Sequence, residues 1–283
     1  MGADGVTRFE IWGDPIDHSL SPVLHRAAYA QLGWDWDYHR RRVGAAEFTG
    51  ALSAAQLRGV SVTFPLKTAA WAAAVTRDRR AELTGAVNTL LLDPVATGGD
   101  GLAGFNTDVG GIAADLRAHG ITHPETARLI GAGATATSAV VALAELGTTH
   151  IDVVARRPDA AEPLRALGTR LGMTVTVLSM DAGAFPSHPL TISTLPGGAM
   201  LADPISDAVA ASGGVLYDVV YGHWPTALAT AWERAGHTAI SGLGMLLHQA
   251  VLQIRIFATG DPDEPLPDEP SVVAVMRRAL MGD

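Results

Sequence analysis

Of the 20 Lys and Arg residues in this chain, 19 are Arg and one is Lys67, and the only two Asn are Asn88 and Asn106, each followed by Thr. Where guanidinium supplies every other permanent charge, a sole ammonium marks a position that needs a compact donor on a flexible stem, or a group able to release its proton. Chance retention at the surface is the competing reading. A second constellation is Gly131-Ala132-Gly133-Ala134-Thr135-Ala136, the spacing of a dinucleotide-binding turn with Ala at the third small position. Gly131 permits the tight turn, Gly133 lets backbone approach a pyrophosphate, and the helix opening at Ala134 offers N–H groups to phosphates. Gly131, Ala132, Gly133 and Ala134 are therefore candidate cofactor contacts, although a strand-to-helix turn without a ligand would use the same glycines.

About 20 residues further on, such a turn expects an acidic residue for a free ribose 2′-hydroxyl. Arg156-Arg157 stands there instead. Paired guanidiniums suit a 2′-phosphate, so NADP is the expected cofactor, with Asp159 the one neighbour that favours NAD. Two Arg opening a solvent-facing helix are the bland alternative. Near the N-terminus, His18-Ser19-Leu20-Ser21-Pro22 puts two hydroxyls at i and i+2 in a loop feeding a helix, an arrangement suited to a carboxylate. Ser21 as a plain helix N-cap is the alternative.

Other chemistries are excluded. The chain has no Cys, so it makes no disulfide, thiolate nucleophile or zinc–thiolate cluster. No His pair has metal-ligand spacing with carboxylate support, and His18 and His25 read as loop or core hydrogen-bonding groups; no metal is expected. Leu66 replaces the glycine that precedes the lysine of a phosphate-binding Walker loop, and no Gly-x-Ser-x-Gly elbow occurs. A net charge of -9 lacks the electrostatic footprint of a nucleic-acid binder. The longest apolar run, Ala69 to Val75, falls far short of the roughly 18 residues that span a bilayer, and Met1 to Glu10 shows no signal pattern. A cytoplasmic protein with no membrane partner, monomer or homodimer, is expected.

The elements that must position these residues alternate. Strand signals at Arg8–Gly13, Tyr38–Val43 and Gly59–Thr63 are each followed by a helix signal, at Ser21–Leu32, Ala45–Ala55 and Pro65–Val75, with Ser21 and Pro22 as N-cap and first helical residue. Val87–Asp93 and Gly101–Asn106 suggest a hairpin, and Asp108–His119 a helix. From Ala127 a second alternation begins: strand Ala127–Ile130, helix Ala134–Glu145, strand His150–Ala155, helix Asp159–Leu171, then short strands at Thr174–Leu178, Leu190–Ser193 and Val215–Val219. A long helix, Gly244 to about Ala258, and a last one ending near Met281 follow a change of texture at Gly242. The fold class is α/β with two domains: an N-terminal open α/β substrate domain with a mostly parallel sheet, residues 1–107, and a Rossmann-type dinucleotide-binding domain, 108–240. Residues 241–283 are expected to pack back on the first.

The motifs together resemble the shikimate dehydrogenase family. Gly13-Asp14-Pro15-Ile16 with His18-Ser19-x-Ser21-Pro22, Ser61-Val62-Thr63-x-Pro65-x-Lys67, Gly85-Ala86-Val87-Asn88-Thr89, Asn106-Thr107-Asp108, Gly131-Ala132-Gly133 and Gly242-Leu243-Gly244-Met245-Leu246 with Gln249-Ala250 occur in the family's order over residues 9 to 260. The resemblance implies NADP-dependent oxidoreduction between shikimate and 3-dehydroshikimate. It implies that Ser19 and Ser21 hold the substrate carboxylate with Tyr221, and that Ser61, Thr63, Lys67, Asn88, Asp108 and Gln249 surround the ring hydroxyls. It also implies that Arg156 faces the adenosine phosphate and that Gly242 and Met245 lie at the cofactor. The family often has Asn where Ser61 stands, which puts one substrate contact in doubt. Ser193-Thr194-Leu195-Pro196-Gly197-Gly198 matches the family's nicotinamide loop only loosely.

The chemistry agrees. Reducing a ring ketone needs hydride plus a proton at the developing alkoxide, and Lys67 beside Asp108 can bind the hydroxyl, stabilise that charge and shuttle the proton. Three alternatives stay open: a quinate or aminoshikimate-type dehydrogenase on the same scaffold, a Schiff-base enzyme using Lys67, and a non-catalytic NADP sensor.

Overall fold

The computed structural model describes residues 6–92, 101–199, 201–222 and 224–282. In chain order the elements of the first half are β1 (Thr7–Gly13), α1 (Ser21–Leu32), β2 (Trp36–Arg42), α2 (Phe48–Ser53), β3 (Gly59–Val62), α3 (Lys67–Ala73), β4 (Thr76–Arg77), α4 (Arg79–Thr84), β5 (Thr89–Leu91), β6 (Ala103–Phe105) and α5 (Thr107–Ala118). Then come β7 (Thr126–Ile130), α6 (Ala134–Glu145), β8 (His150–Ala155), α7 (Glu162–Arg170), β9 (Thr174–Ser179), β10 (Leu190–Ser193), α8 (Asp203–Ala211), β11 (Val215–Asp218), α9 (Ala227–Arg234), β12 (Ala239–Ser241), α10 (Leu243–Thr259) and α11 (Glu269–Met281). These form two compact units, Met1–Gly111 with Leu246–Asp283, and Ile112–Met245.

The first unit holds a sheet of order β2-β1-β3-β5-β6-β4. β1 pairs in parallel with β2 and β3, and the β3–β5 and β5–β6 pairs are antiparallel, so the expected hairpin is present; its expected end at Asp93 lies outside the described residues. Strand alternation divides the core into two faces. Phe9 and Ile11 pack with Leu24 and Tyr29 of α1 and with Ile254 and Phe257 of α10, while Trp12, Val60 and Val62 pack with Leu66, Ala70 and Leu90 on the other side. Arg255 clamps α11 to α10 through two bonds to Glu269, 2.7 Å from Nε and 2.5 Å from an Nη. Burial pushes the Glu269 carboxyl up, but the hydrogen bonds from Arg255 and the Leu266 N–H, together with the nearby Arg255 and His248 charges, outweigh it in sum and hold the group below its ordinary value.

The second unit is a parallel sheet of order β12-β11-β10-β7-β8-β9. Read from β9, this is the 3-2-1-4-5-6 order of a doubly wound dinucleotide fold, whose strand order reverses between β7 and β10. Ile130, Val154, Leu216 and Trp232 lie in its buried core.

Several boundaries differ from expectation for local reasons. The helix expected over Ala45–Ala55 shrinks to α2, because Gly44 to Glu47 forms a turn closed by Glu47 N–H to Gly44 O and Gly44 N–H to Glu47 Oε2. The helix expected from Asp159 is a 3-10 turn, Pro158–Ala161, followed by α7, since Pro163 has no N–H and fits only a first turn. Ser21 is not the N-cap of α1. That position is Leu20, with no capping side chain, and Pro22 follows one place later in the helix than expected.

Candidate active site

In the first unit the loops after β1 and β3 leave from the same ends of neighbouring parallel strands, Trp12 facing Val62. Gly13 makes this possible. A Cβ there would lie 2.5 Å from Thr63 Cγ2 and 2.9 Å from the Phe64 carbonyl, which itself accepts the Asp14 N–H at 3.1 Å. One loop carries Ser19 and enters α1 at Ser21, both buried, and the Ser19 hydroxyl accepts the Ser21 N–H at 3.3 Å. Because Leu20 occupies the cap position, the Ser21 hydroxyl has no capping duty to perform. The other loop turns through Thr63–Leu66, closed by Leu66 N–H to Thr63 O at 2.8 Å, and delivers Lys67 as the first residue of α3.

Lys67 Nζ lies 2.5 Å from Asp108 Oδ2, with the two side chains only 16% and 8% exposed. Asp108 sits in the first turn of α5, where Asn106 Oδ1 accepts its N–H at 3.1 Å. Asn88, just before β5, joins the pieces. Its Nδ2 donates to Asp108 Oδ1 and to Thr107 Oγ1, both at 2.8 Å, and its Oδ1 accepts from Thr107 N–H and from the Thr89 hydroxyl, both at 2.9 Å. Thr107 Oγ1 is also 3.5 Å from Gln249 Oε1, and Gln249 is tied to α10 through the Leu246 carbonyl. Lys67, Asp108, Asn88 and Gln249 thus share one hydrogen-bonded cluster, and Thr63 stands on the turn leading into it.

Ser61 faces elsewhere. It is fully buried and donates to Gln253 Oε1 at 3.0 Å. The same oxygen lies 3.2 Å from His25 Nε2, and His25 Nδ1 lies 2.9 Å from the Tyr29 hydroxyl. Burial pushes the His25 pKa down to about 3, against a smaller opposing effect of Gln253, so the ring is neutral. A neutral ring has one donor and one acceptor nitrogen, and this network uses both if Nε2 carries the proton. Gln253 Nε2 completes it, 3.5 Å from the Asn88 carbonyl.

In the second unit Gly131 has φ +109, a conformation that favours glycine, and a Cβ there would meet Thr194 Oγ1 at 2.5 Å. Gly133 is different. No atom lies within 4 Å of a Cβ built on it, so protein packing does not require glycine there, whereas a pyrophosphate approaching the backbone does. Gly133 caps α6 without a side-chain bond, leaving the first-turn N–H groups from Ala134 onward for an anion, and Ala136 is fully buried against the sheet. Ala132 is partly buried between the two glycines. Arg156 and Arg157 are exposed at the end of β8, and neither guanidinium has a hydrogen-bonded or ionic partner among the described residues. The turn, the open glycine, the uncapped helix and the free guanidiniums fit a phosphorylated dinucleotide.

Tyr221 is partly buried in the loop after β11, its hydroxyl pushed up by burial. Gly242 is demanded by packing, since a Cβ would lie 2.1 Å from the Val219 carbonyl, and Met245 is buried. Beyond the ends of β10 and β11 lies a cleft of about 190 Å3 lined by residues including Ser193, Pro196, Gly198, Asp218 and Thr226. Burial raises the Asp218 carboxyl despite opposing bonds from the Thr226 hydroxyl and Val220 N–H. Among the described residues no cluster of three or more His, Cys, Asp and Glu could hold a metal ion, and no helix is long and apolar enough to cross a membrane.

The chain matches the family model described as the shikimate dehydrogenase substrate binding domain over residues 11–90. It is 38% identical over 250 residues to the NADP(+) shikimate dehydrogenase of Methylobacterium radiotolerans, covering 84% of this chain and 86% of that one. The chain belongs to the shikimate dehydrogenase family. The crystal structure of a shikimate 5-dehydrogenase from Mycobacterium fortuitum is similar at 40% identity and a TM-score of 0.80, covering 97% of both chains. The shikimate 5-dehydrogenase of Thermus thermophilus, solved in complex with NADP(H) and shikimate, is similar at 29% identity and a TM-score of 0.77, over 96% of this chain and 99% of that one.

Against the residues that the shikimate dehydrogenase resemblance nominates, the structure adds Thr107 and Asn106 to the cluster around Lys67 and Asp108, and places Gln253 behind it, at the Asn88 carbonyl, with His25 one bond further away. Asn106 has a readable signal, an Asn two places before the first-turn acidic residue of a helix. Gln253 has a weaker one, four residues and so one helical turn beyond Gln249.

Proposed function

We propose that this chain interconverts shikimate and 3-dehydroshikimate with NADP. The observation that carries the reading is the 2.5 Å contact of the sole lysine, Lys67, with Asp108, oriented by Asn88. A dinucleotide held at the Gly131–Ala134 turn would supply or accept the hydride. Lys67 and Asp108 handle the accompanying proton: the ammonium donates to the reacting oxygen and stabilises the charge that develops on it, while the carboxylate takes up or returns the proton as the reaction runs in either direction. Ser19 and Ser21 hold the substrate carboxylate at the far end of the ring. Thr63 and Gln249 fix the remaining hydroxyls, so the reacting carbon is presented in one orientation. Gly131, Ala132, Gly133 and Ala134 receive the pyrophosphate, Arg156 and Arg157 the 2′-phosphate, and Gly242 and Met245 border the cofactor.

An ammonium engaged with a carboxylate is a proton donor, whereas a Schiff-base enzyme needs the free amine, so Lys67 supports hydride-transfer chemistry over imine formation. The test is a set of initial rates with shikimate and with quinate, each with NADP and NAD. Turnover of shikimate with NADP is expected to exceed the other three combinations; no turnover of shikimate with either cofactor would overturn the reading.

A further inference from the structure

The loop that carries Ser19 and Ser21 is held by a cation from the edge of the sheet. Arg40, on β2, donates its Nε–H to the Ser19 carbonyl at 2.8 Å. Its neighbours on the strand are compensated. Arg42 is bidentate on Asp14, at 2.9 and 3.3 Å, and is also influenced by Asp17 and Glu47, while Arg41 faces Glu10 at 3.9 Å. The Arg40 side chain has no acidic partner among the described residues; its one hydrogen-bonded partner there is the neutral Ser19 carbonyl. In a chain of net charge -9 this leaves a permanent cation with unused N–H donors beside a loop whose paired hydroxyls carry no charge of their own.

We propose that Arg40 is a specificity-determining positioning residue, which fixes the Ser19–Ser21 loop and supplies the positive charge that selects a ring substrate bearing a carboxylate. The proposal rests on the serines being the carboxylate-binding pair. Serine hydroxyls alone distinguish poorly between a carboxylate and a neutral ester or amide, because both offer acceptor oxygens. A nearby uncompensated guanidinium does distinguish them, and because Arg40 is exposed its influence is screened by salt.

The experiment compares Arg40→Gln, Arg40→Lys and Ser19→Ala with the wild type, using shikimate and its neutral methyl ester at low and high ionic strength. Arg40→Gln should raise KM for shikimate about 3- to 5-fold at low salt, the scale of an exposed charge pair, with kcat within about twofold. It should flatten the salt dependence of KM and raise KM for the ester by less than for shikimate, the shared part being the lost bond to the Ser19 carbonyl, and Arg40→Lys should restore most of the salt dependence. An unchanged KM for shikimate, or equal losses for acid and ester, overturns the proposal, the second result reducing Arg40 to a loop anchor. If Ser19→Ala raises KM for shikimate and Arg40→Gln does not, only the role of Arg40 fails. If Ser19→Ala leaves KM unchanged, the placement of the carboxylate on the serines is itself wrong, and the proposal built on it falls as well.

Discussion

The side-chain amide of Asn88 donates to Oδ1 of Asp108 at 2.8 Å, which leaves Oδ2 as the oxygen that meets Lys67. Both N–H groups and both acceptor sites of Asn88 are engaged within the protein, so it serves first to aim the carboxylate, and a substrate hydroxyl would have to share one of its bonds. Asn88→Ala should lower kcat by ~10-fold or more through loss of that orientation. It should also lower stability by about 1–3 kcal/mol, because the Thr107 N–H and Thr89 hydroxyl lose their buried acceptor. Chemical denaturation and steady-state kinetics on one preparation check both, and an unchanged kcat would contradict the orienting role.

His25 ties stability to pH. Its folded pKa of about 3 lies below the ordinary 6.5, so below the latter the unfolded chain takes up a proton that the folded chain refuses. Stability is therefore fully present above the ordinary value and falls as pH drops toward the folded one, with a slope of about 1.4 kcal/mol per pH unit from this group. Urea unfolding between about pH 6.5 and pH 5 should show this slope in the wild type and lose most of it in His25→Gln. Equal slopes in the two proteins would assign the acid sensitivity to other groups.

The proposed cofactor contacts include two exposed guanidiniums, Arg156 and Arg157, with no partner among the described residues. Arg156→Ala should raise KM for NADP by ~10-fold or more, the loss of a charge-assisted phosphate contact, while changing that for NAD by less than ~2-fold. Equal losses with both cofactors would make the Arg pair structural.

The family resemblance places Ser61 at the substrate, yet its hydroxyl is directed to Gln253 in a fully buried network. Ser61→Ala should leave KM for shikimate within about twofold and cost about 1 kcal/mol of stability, the net worth of one buried hydrogen bond. Shikimate should exceed quinate in kcat/KM by at least ~10-fold, because quinate brings an additional hydroxyl that must be desolvated beside the Ser19 and Ser21 pair. A rise in KM for shikimate in Ser61→Ala would return this serine to the pocket.

What the sequence makes legible follows from how local the determinant is. The glycine turn after β7, the Arg pair after β8 and the strands β1, β3, β7 and β8 are readable because period and spacing act within a few residues. Helix α4 escapes the sequence reading although its signals are present: Asp78 caps it by accepting from Ala81 N–H, and Gly85 closes it at φ 63. Thr226, which caps α9 through Ala229 N–H, is an equally local signal. The buried network is not local. Gln253 meets His25 and Ser61 across 228 and 192 residues of chain, and only the folded arrangement of α1, β3 and α10 brings them together.

The central claim is that Lys67 and Asp108 act as one proton-handling unit in NADP-dependent shikimate oxidation. The most direct measurement is kcat for that reaction in Lys67→Arg, Asp108→Asn and the double variant. Each single change should lower kcat by at least ~10²-fold, and the double variant should be little worse than the poorer single one, because the second change removes a partner already without its function. Near-normal turnover in either single variant, or a double loss equal to the product of the two, would contradict the account.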